Sequence, residues 1–186
     1  MGTDEPSDGA ARIAGTTLVE VTPDLAVAYL DMVNEFEAAG EGYPFNDVEL
    51  ARRDFAAFVD DLRNESLGVV LPPGVVPQTT YVLMDRYGRA LGEIRFRPQL
   101  TPPFERHNGH IGYNVRPRQR GKGYATRMLT LVLDKARALG LERAMLPVEG
   151  ENPASVRVIE KNGGVLERRI MDKASGEPIA LYWIVL

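Results

Sequence analysis

The segment from His110 to Val148 constrains the fold most, because it reads as strand, helix and strand in immediate succession. "HIGYNV" (His110 to Val115) alternates as a strand. From Gly121 the pattern turns helical, with Ala125, Met128, Leu129, Val132, Ala136 and Leu139 recurring at three and four and Gly140 as the stop. "ERAMLPV" is then a strand again. Such a unit demands a parallel crossover.

The flanking segments complete the class. "TTLVEV" (Thr16 to Val21) alternates as a strand, and Pro23 opens a helix that puts Leu25, Tyr29, Met32, Val33 and Phe36 on one face and stops near Gly40. A second helix is expected from roughly Val48 to Asn64. "LPPGVVPQ" is a proline-punctuated loop, and "TTYVLMD" and "ALGEIRF" form a hairpin across "RYGR". "RPQLTPPFERHNG" is a long, proline-rich loop. "NPASVRVIEKNGG" is a short helix with Asn152 as candidate N-cap, and "VLERRIM" and "IALYWIVL" close the chain as strands. The order β α α β β β α β α β β gives an α/β chain with a mixed sheet and helices on both faces.

Between the first strand and the helix of the crossover lies "RPRQRGKGYATRML" (116–129), with five basic residues and two glycines. A helix start carries unpaired amides and the positive end of the dipole, so it attracts anions. Gly121 and Gly123 let a phosphate approach the backbone, and Arg118, Arg120 and Lys122 add charge. A diphosphate cradle follows. A Walker A loop is excluded because Tyr124 follows Gly123 where Ser or Thr should follow a lysine. A dinucleotide fingerprint fits poorly, with Thr126 at its third small position and Glu142 at a strand start.

Composition narrows the rest. The 186 residues contain no cysteine, which removes disulfides, cysteine-bound zinc and an acyl-cysteine intermediate, and points to the cytoplasm. Residues 1–15 read as a disordered tail without a signal-peptide core, and 16–186 as one domain. No apolar run is long enough to span a bilayer. The net charge of −4 is uneven: residues 1–66 hold 15 of the 26 acids and 4 of the 22 basic residues, which suggests that the two parts face different partners. With a pI near 5.3, affinity for nucleic acid is not expected.

Arg118-Gln119-Arg120-Gly121-Lys122-Gly123 matches [RQ]-x-x-G-x-[GA] and resembles the acetyl-coenzyme A loop of the Gcn5-related N-acetyltransferase (GNAT) superfamily. "ENPASVRVIEKNGGV" is similar to that superfamily's second motif, and the chain also resembles a bacterial subgroup of predicted acetyltransferases over roughly residues 16–186. The resemblance implies a central mixed, mostly antiparallel sheet of about six or seven strands flanked by about four helices. It implies acetyl-coenzyme A as cosubstrate, its pyrophosphate held by the amides of Gln119 through Tyr124 and Ala125. It further implies that the pantetheine arm pairs with the main chain of Tyr113, Asn114 and Val115. Asn152 would meet the cofactor with Ser155 nearby, although an Asn there is equally a helix cap.

The activity implied is transfer of an acetyl group to a primary amine of a small molecule or peptide by direct attack, in a monomer or homodimer with no nucleic-acid or membrane partner. The superfamily often protonates the departing thiolate from a tyrosine in the second-motif helix, but this sequence has Ile159 there. Tyr113, Tyr124 or Tyr182 can substitute, or the thiolate can leave unaided. For the base, the resemblance points to Glu93, and His110 titrates near neutrality. His107 and His110 lack a spaced third ligand, so no metal site is expected. The acids of Glu35 to Glu65, such as Glu41, Asp47 and Glu49, would attract a cationic amine if they face the acceptor cleft, and otherwise face water. Two other classes stay open: a non-catalytic cofactor sensor, for which Ile159 speaks, and a phosphate or nucleic-acid binder.

Overall fold

Strand β1 (Thr17–Glu20) leads into α1 (Ala26–Ala38), α2 (Val48–Arg53), α3 (Phe55–Leu67), the hairpin β2 (Thr79–Met84) and β3 (Ala90–Phe96), and α4 (Pro102–His107). The crossover follows as β4 (Ile111–Val115), α5 (Tyr124–Ala138) and β5 (Arg143–Glu149), then α6 (Pro153–Lys161), β6 (Val165–Met171) and β7 (Pro178–Val185). The structure is a computed structural model and describes residues 12–69, 71–172 and 175–186. Of the expected tail, residues 1–11 lie outside the described residues. Residues 12–14 form a helical turn, and the Thr16 amide and hydroxyl donate to Ile13 O at 3.2 and 2.7 Å.

The mixed α/β class stands, with seven strands, but the described residues hold six α-helices where about four were expected. The helix expected over Val48–Asn64 is broken at Asp54. That residue is extended (φ −152°, ψ 91°), and its carboxylate accepts from the Ala57 amide at 3.0 Å, so the chain ends one helix and caps the next. The proline-rich loop contains α4 because Pro102 occupies a first-turn position, where a missing N–H costs no hydrogen bond.

The sheet is split. One sheet has the order β1-β2-β3-β4 and the other β5-β7-β6, with every pairing antiparallel. Helix α5 bridges the break: Met128, Leu129, Val132, Leu133 and Ala136 are buried in one cluster with Leu83 and Ile94 of the first sheet and Ala144, Leu146 and Ile184 of the second. Each large side chain of that set contributes about 2 kcal/mol by burial, so apolar packing holds the halves together where backbone pairing does not. On the other face of the first sheet, α1 and α3 bury Tyr29, Met32, Phe36 and Phe58 against Val82 and Met84.

Candidate active site

The break between β4 and β5 has a local cause. At the closed end the strands touch: the His110 amide donates to Met145 O at 2.8 Å, and the Met145 amide donates to His110 Nδ1 at 3.0 Å. Gly109 permits this approach, since a Cβ there would lie 2.4 Å from Pro147 Cδ and 2.5 Å from Met145 O. Main-chain groups two residues apart on a strand face the same way, so the next β5 donor toward β4 belongs to Pro147, which has no N–H. Pairing stops there, and further along β4 lies a groove of about 690 Å³, lined by Tyr113 to Val115, by the turn that follows and by residues 152–161.

The far end of the groove is the strand-to-helix turn. Gly121 and Gly123 take φ of +74° and +86°, and Gly123 stands at the N-cap of α5. The first intrahelical bond, from the Arg127 amide to Gly123 O, measures 3.0 Å. The amides of Tyr124, Ala125 and Thr126 precede that ladder, and all three residues line the groove. Gln119, Arg120, Gly121 and Gly123 line it too, whereas Arg118 and Lys122 do not. The Lys122 ammonium folds back onto Arg118 O and Gln119 Oε1 at 2.8 and 2.9 Å.

Arg116 and Arg120 of this turn are paired with acids of α1 and the loop after it. Arg116 pairs with Asp31 at 2.7 Å and Glu35 at 2.5 Å, and the Arg118 amide donates to the other oxygen of Glu35 at 2.8 Å. Arg120 forms a bidentate pair with Glu41 at 2.8 and 2.6 Å, and its Nε donates to Val115 O at 3.1 Å. Partial burial pushes Glu35 up, but the Arg118 amide and the Arg116 guanidinium outweigh it and hold the carboxyl below its ordinary value. The Arg120 hydrogen bonds lower Glu41 likewise. The expectation that the acidic and basic parts of the chain face different partners is therefore corrected at this turn, where they face each other.

The second motif forms the opposite wall. Asn152 Oδ1 accepts from the Ser155 amide at 3.0 Å, so it caps α6, and both residues line the groove. The Tyr113 hydroxyl spans from β4 to α6, lying 2.7 Å from Ser155 Oγ and donating to Ser155 O at 3.3 Å. Burial pushes it up to about 12 despite the Ser155 contact, so it stays protonated at neutral pH. Tyr124 and Tyr182 are packed into the core, and Ile159 lies beneath α6 with 1% of its surface exposed. Arg157 and Lys161, one helical turn apart, also line the groove. Their i, i+4 basic spacing was the available signal, unused beside the stronger glycine pattern.

Glu93 sits on β3, fully buried, behind the loop that joins α1 to α2. Its Oε2 accepts from the Tyr29 and Tyr43 hydroxyls at 2.7 and 2.8 Å and from Asn46 Nδ2 at 2.9 Å, and Oε1 accepts from Asn46 at 3.0 Å and Arg95 Nε at 3.4 Å. Burial drives its carboxyl above the ordinary value, opposed by the charge of Arg95 and by these donors. Asn46 Oδ1 accepts from Arg95, whose guanidinium lies 4.3 Å from the Phe45 ring centroid.

A family model described as "Acetyltransferase (GNAT) domain" matches residues 16–165. The chain belongs to the GNAT acetyltransferases. No curated protein sequence matches it, but solved structures share the fold. Mycobacterium smegmatis RimJ in complex with CoA-disulfide superposes with a TM-score of 0.68 at 20% identity, over 91% of this chain and 81% of the other. A ribosomal-protein-S5-alanine acetyltransferase from Vibrio fischeri gives 0.65 at 18% identity, over 92% and 93%. A spermidine N-acetyltransferase SpeG chimera from Vibrio cholerae and hSSAT gives 0.61 at 18%, over 92% and 95%.

As a GNAT acetyltransferase the chain takes acetyl-coenzyme A as its cosubstrate, and the groove suits it: helix-start amides at one end and strand β4 along its side. His110 is the candidate that the structure removes from the open groove. Its Nδ1 is occupied by the Met145 amide at the closed end, and burial together with Arg143 and Arg97 lowers its pKa to about 4. Glu93 lies on the β3 face opposite α5, with its donors drawn from α1 and the following loop. Glu41 and Asp47 are engaged with Arg120 and as the cap of α2, so the structure does not bring them together as a cationic-amine cleft.

Proposed function

We propose that the chain catalyses direct transfer of the acetyl group of acetyl-coenzyme A to a primary amine. The groove beside β4 carries this reading. It connects an anion cradle at Gly121–Thr126 to Tyr113 at mid-strand, and β4 pairs there with the strand that bears Glu93. Arg116 N–H donates to Leu91 O, so by alternation the main chain of Tyr113 and Val115 faces the open side, where an extended pantetheine arm can pair with it. Arg157 and Lys161 join the helix-start amides as phosphate contacts.

The amine must arrive neutral at the thioester carbon and lose a proton after attack. Glu93 is held by five contacts, so it shapes the acceptor face, and the proton leaves through water. The sulfur departs as thiolate, and the protonated Tyr113 hydroxyl is the donor nearest the groove. Proximity in the groove supplies a large share of the acceleration. The S5-alanine and spermidine enzymes of the same fold support amines as the acceptor class.

Thiol release tests this directly, and the absence of cysteine from the chain means that every thiol detected comes from coenzyme A. Incubation with acetyl-coenzyme A and spermidine or an alanine-initiated peptide should release thiol faster than acetyl-coenzyme A alone. A thermal shift with acetyl-coenzyme A but no amine-dependent release would overturn catalysis in favour of a cofactor sensor.

A further inference from the structure

Strand β6 ends the second sheet. It pairs with β7 on one side, and among the described residues no strand lies along its other side. The remaining sheet edges are accounted for: β1 has four residues, and β4 and β5 turn toward each other at the His110–Met145 contact. β6 has seven residues, six of them exposed, and these include apolar Val165 (69% exposed), Leu166 and Met171 (63%). A long edge strand with apolar side chains is a template for another strand, and apolar residues gathered on one surface mark an interaction site.

The bulge and the charges decide which strand fits. β6 opposes β7 residue for residue from Arg168 to Met171, and the register slips between Leu166 and Arg168. Regular pairing on the outer edge therefore begins at Arg168. A second copy of β6 meets the first antiparallel about a two-fold axis perpendicular to the sheet, so each side chain keeps its face and the axis passes through one residue. An axis at Arg168 or Arg169 would set two guanidiniums against each other, and like charges directly opposite destabilise a pair. An axis at Met171 would set Ile170 against the Asp172 carboxylate. Only an axis at Ile170 removes both conflicts: Ile170 meets itself, the Arg169 stem lies beside Met171 of the second copy, and Arg168 lies opposite Asp172 of the second copy. Arg168 is exposed and 3.1 Å from Glu167, a solvent-screened pair that is readily exchanged. Asp172 continues the path of the strand, since its amide donates to Glu177 O at 2.9 Å. Its Oδ2 accepts from the Ser175 amide and hydroxyl at 2.9 and 2.7 Å, and a carboxylate has further lone pairs for a guanidinium.

We propose that the chain forms a two-fold dimer through the outer edge of β6, antiparallel and centred on Ile170, which joins the second sheets of two copies into one continuous sheet. The partner is a second copy because the order of charges along β6 is complementary to itself about that residue. The dimer stands apart from acetyl transfer, since no residue of β6 lines the groove.

Sedimentation velocity of the full chain over a range of concentrations should show a species at twice the 20.6 kDa chain mass. Met171→Lys places an ammonium opposite Arg169 of the second copy and should shift the chain to the monomer mass. Both side chains are exposed, and unchanged circular dichroism would show that the fold is kept. Arg169→Glu combined with Met171→Lys replaces the repulsion by an ion pair and should restore the dimer. A native chain that sediments as a monomer at every concentration overturns the proposal. A dimer that survives Met171→Lys, or a double variant that stays monomeric, overturns β6 as its interface. A second measurement is independent of these charges. The chain has no cysteine, so Ile170→Cys introduces a single thiol at the axis, and with diamide as oxidant it should link two chains faster than Val165→Cys, which lies off the axis. If Met171→Lys fails to fold, the linking rates decide, and equal rates overturn the pairing.

Discussion

Gly121 and Gly123 adopt positive φ at the same turn, a region that costs an L-residue about 1–2 kcal/mol, yet their surroundings differ. A Cβ on Gly121 would meet nothing within 4 Å, whereas one on Gly123 would lie 3.0 Å from Ile13 Cδ1. Gly121→Ala should therefore lower Tm through backbone strain and keep the thermal shift with acetyl-coenzyme A. Gly121→Glu should lose the shift by placing a carboxylate in the cradle, and equal shifts in the two variants would show that the turn does not meet the diphosphate. Asn152→Ala should cost about 1 kcal/mol in denaturant unfolding through loss of the α6 cap. These glycine and cap positions were legible because each residue type fixes its own backbone. The surroundings of Glu93 were not, because Tyr29, Tyr43 and Asn46 come from 64, 50 and 47 residues away in the chain, and no local pattern ties hydroxyls at such separations to one carboxylate.

Among the elements, the segment from Glu35 to Asp47 departs most from its sequence appearance. An acid-rich stretch beside an acceptor site suggests an attractive field for cations, but Glu35 and Glu41 fasten α1 and its following loop to the cofactor turn, and Asp47 caps α2. The combined Glu41→Gln, Asp47→Asn, Glu49→Gln variant should leave the KM for spermidine unchanged. Asn still caps a helix well, and the Arg120–Glu41 pair is exposed and screened by solvent, so Tm should shift little. A rise in KM for spermidine, with the KM for acetyl-coenzyme A constant, would return these acids to the acceptor site. The two corrected elements had signals of their own. Asp54 is a capping residue inside an apparent helix, and Pro147 is a proline inside an apparent central strand. Periodicity outvoted both, although Pro147 withholds the N–H that would carry β5 pairing on toward β4.

At the scale of the whole molecule, two half-sheets are joined by α5 and by the His110–Met145 contact at the closed end of the groove, and that contact should give the fold a measurable pH dependence. Burial and the nearby Arg143 and Arg97 lower His110 from its ordinary value of 6.5 to about 4. In the unfolded chain the imidazole takes up a proton near 6.5, while in the folded chain it resists until about 4. Between those values unfolding binds a proton, so stability falls as pH falls. Protonation of Nδ1 would also remove the acceptor of the Met145 amide. Glu93 acts in the opposite sense: its raised value means that the folded state keeps a proton the unfolded state releases, so its contribution declines as pH rises above the ordinary carboxyl range. Comparing variants at fixed Glu93 separates the two. His110→Asn preserves an acceptor for the Met145 amide without a titrating group. Urea midpoints measured at pH 7 and pH 5 should drop for the native chain and drop less for His110→Asn. Parallel drops would mean that His110 titrates normally and that the join between the half-sheets is open to water.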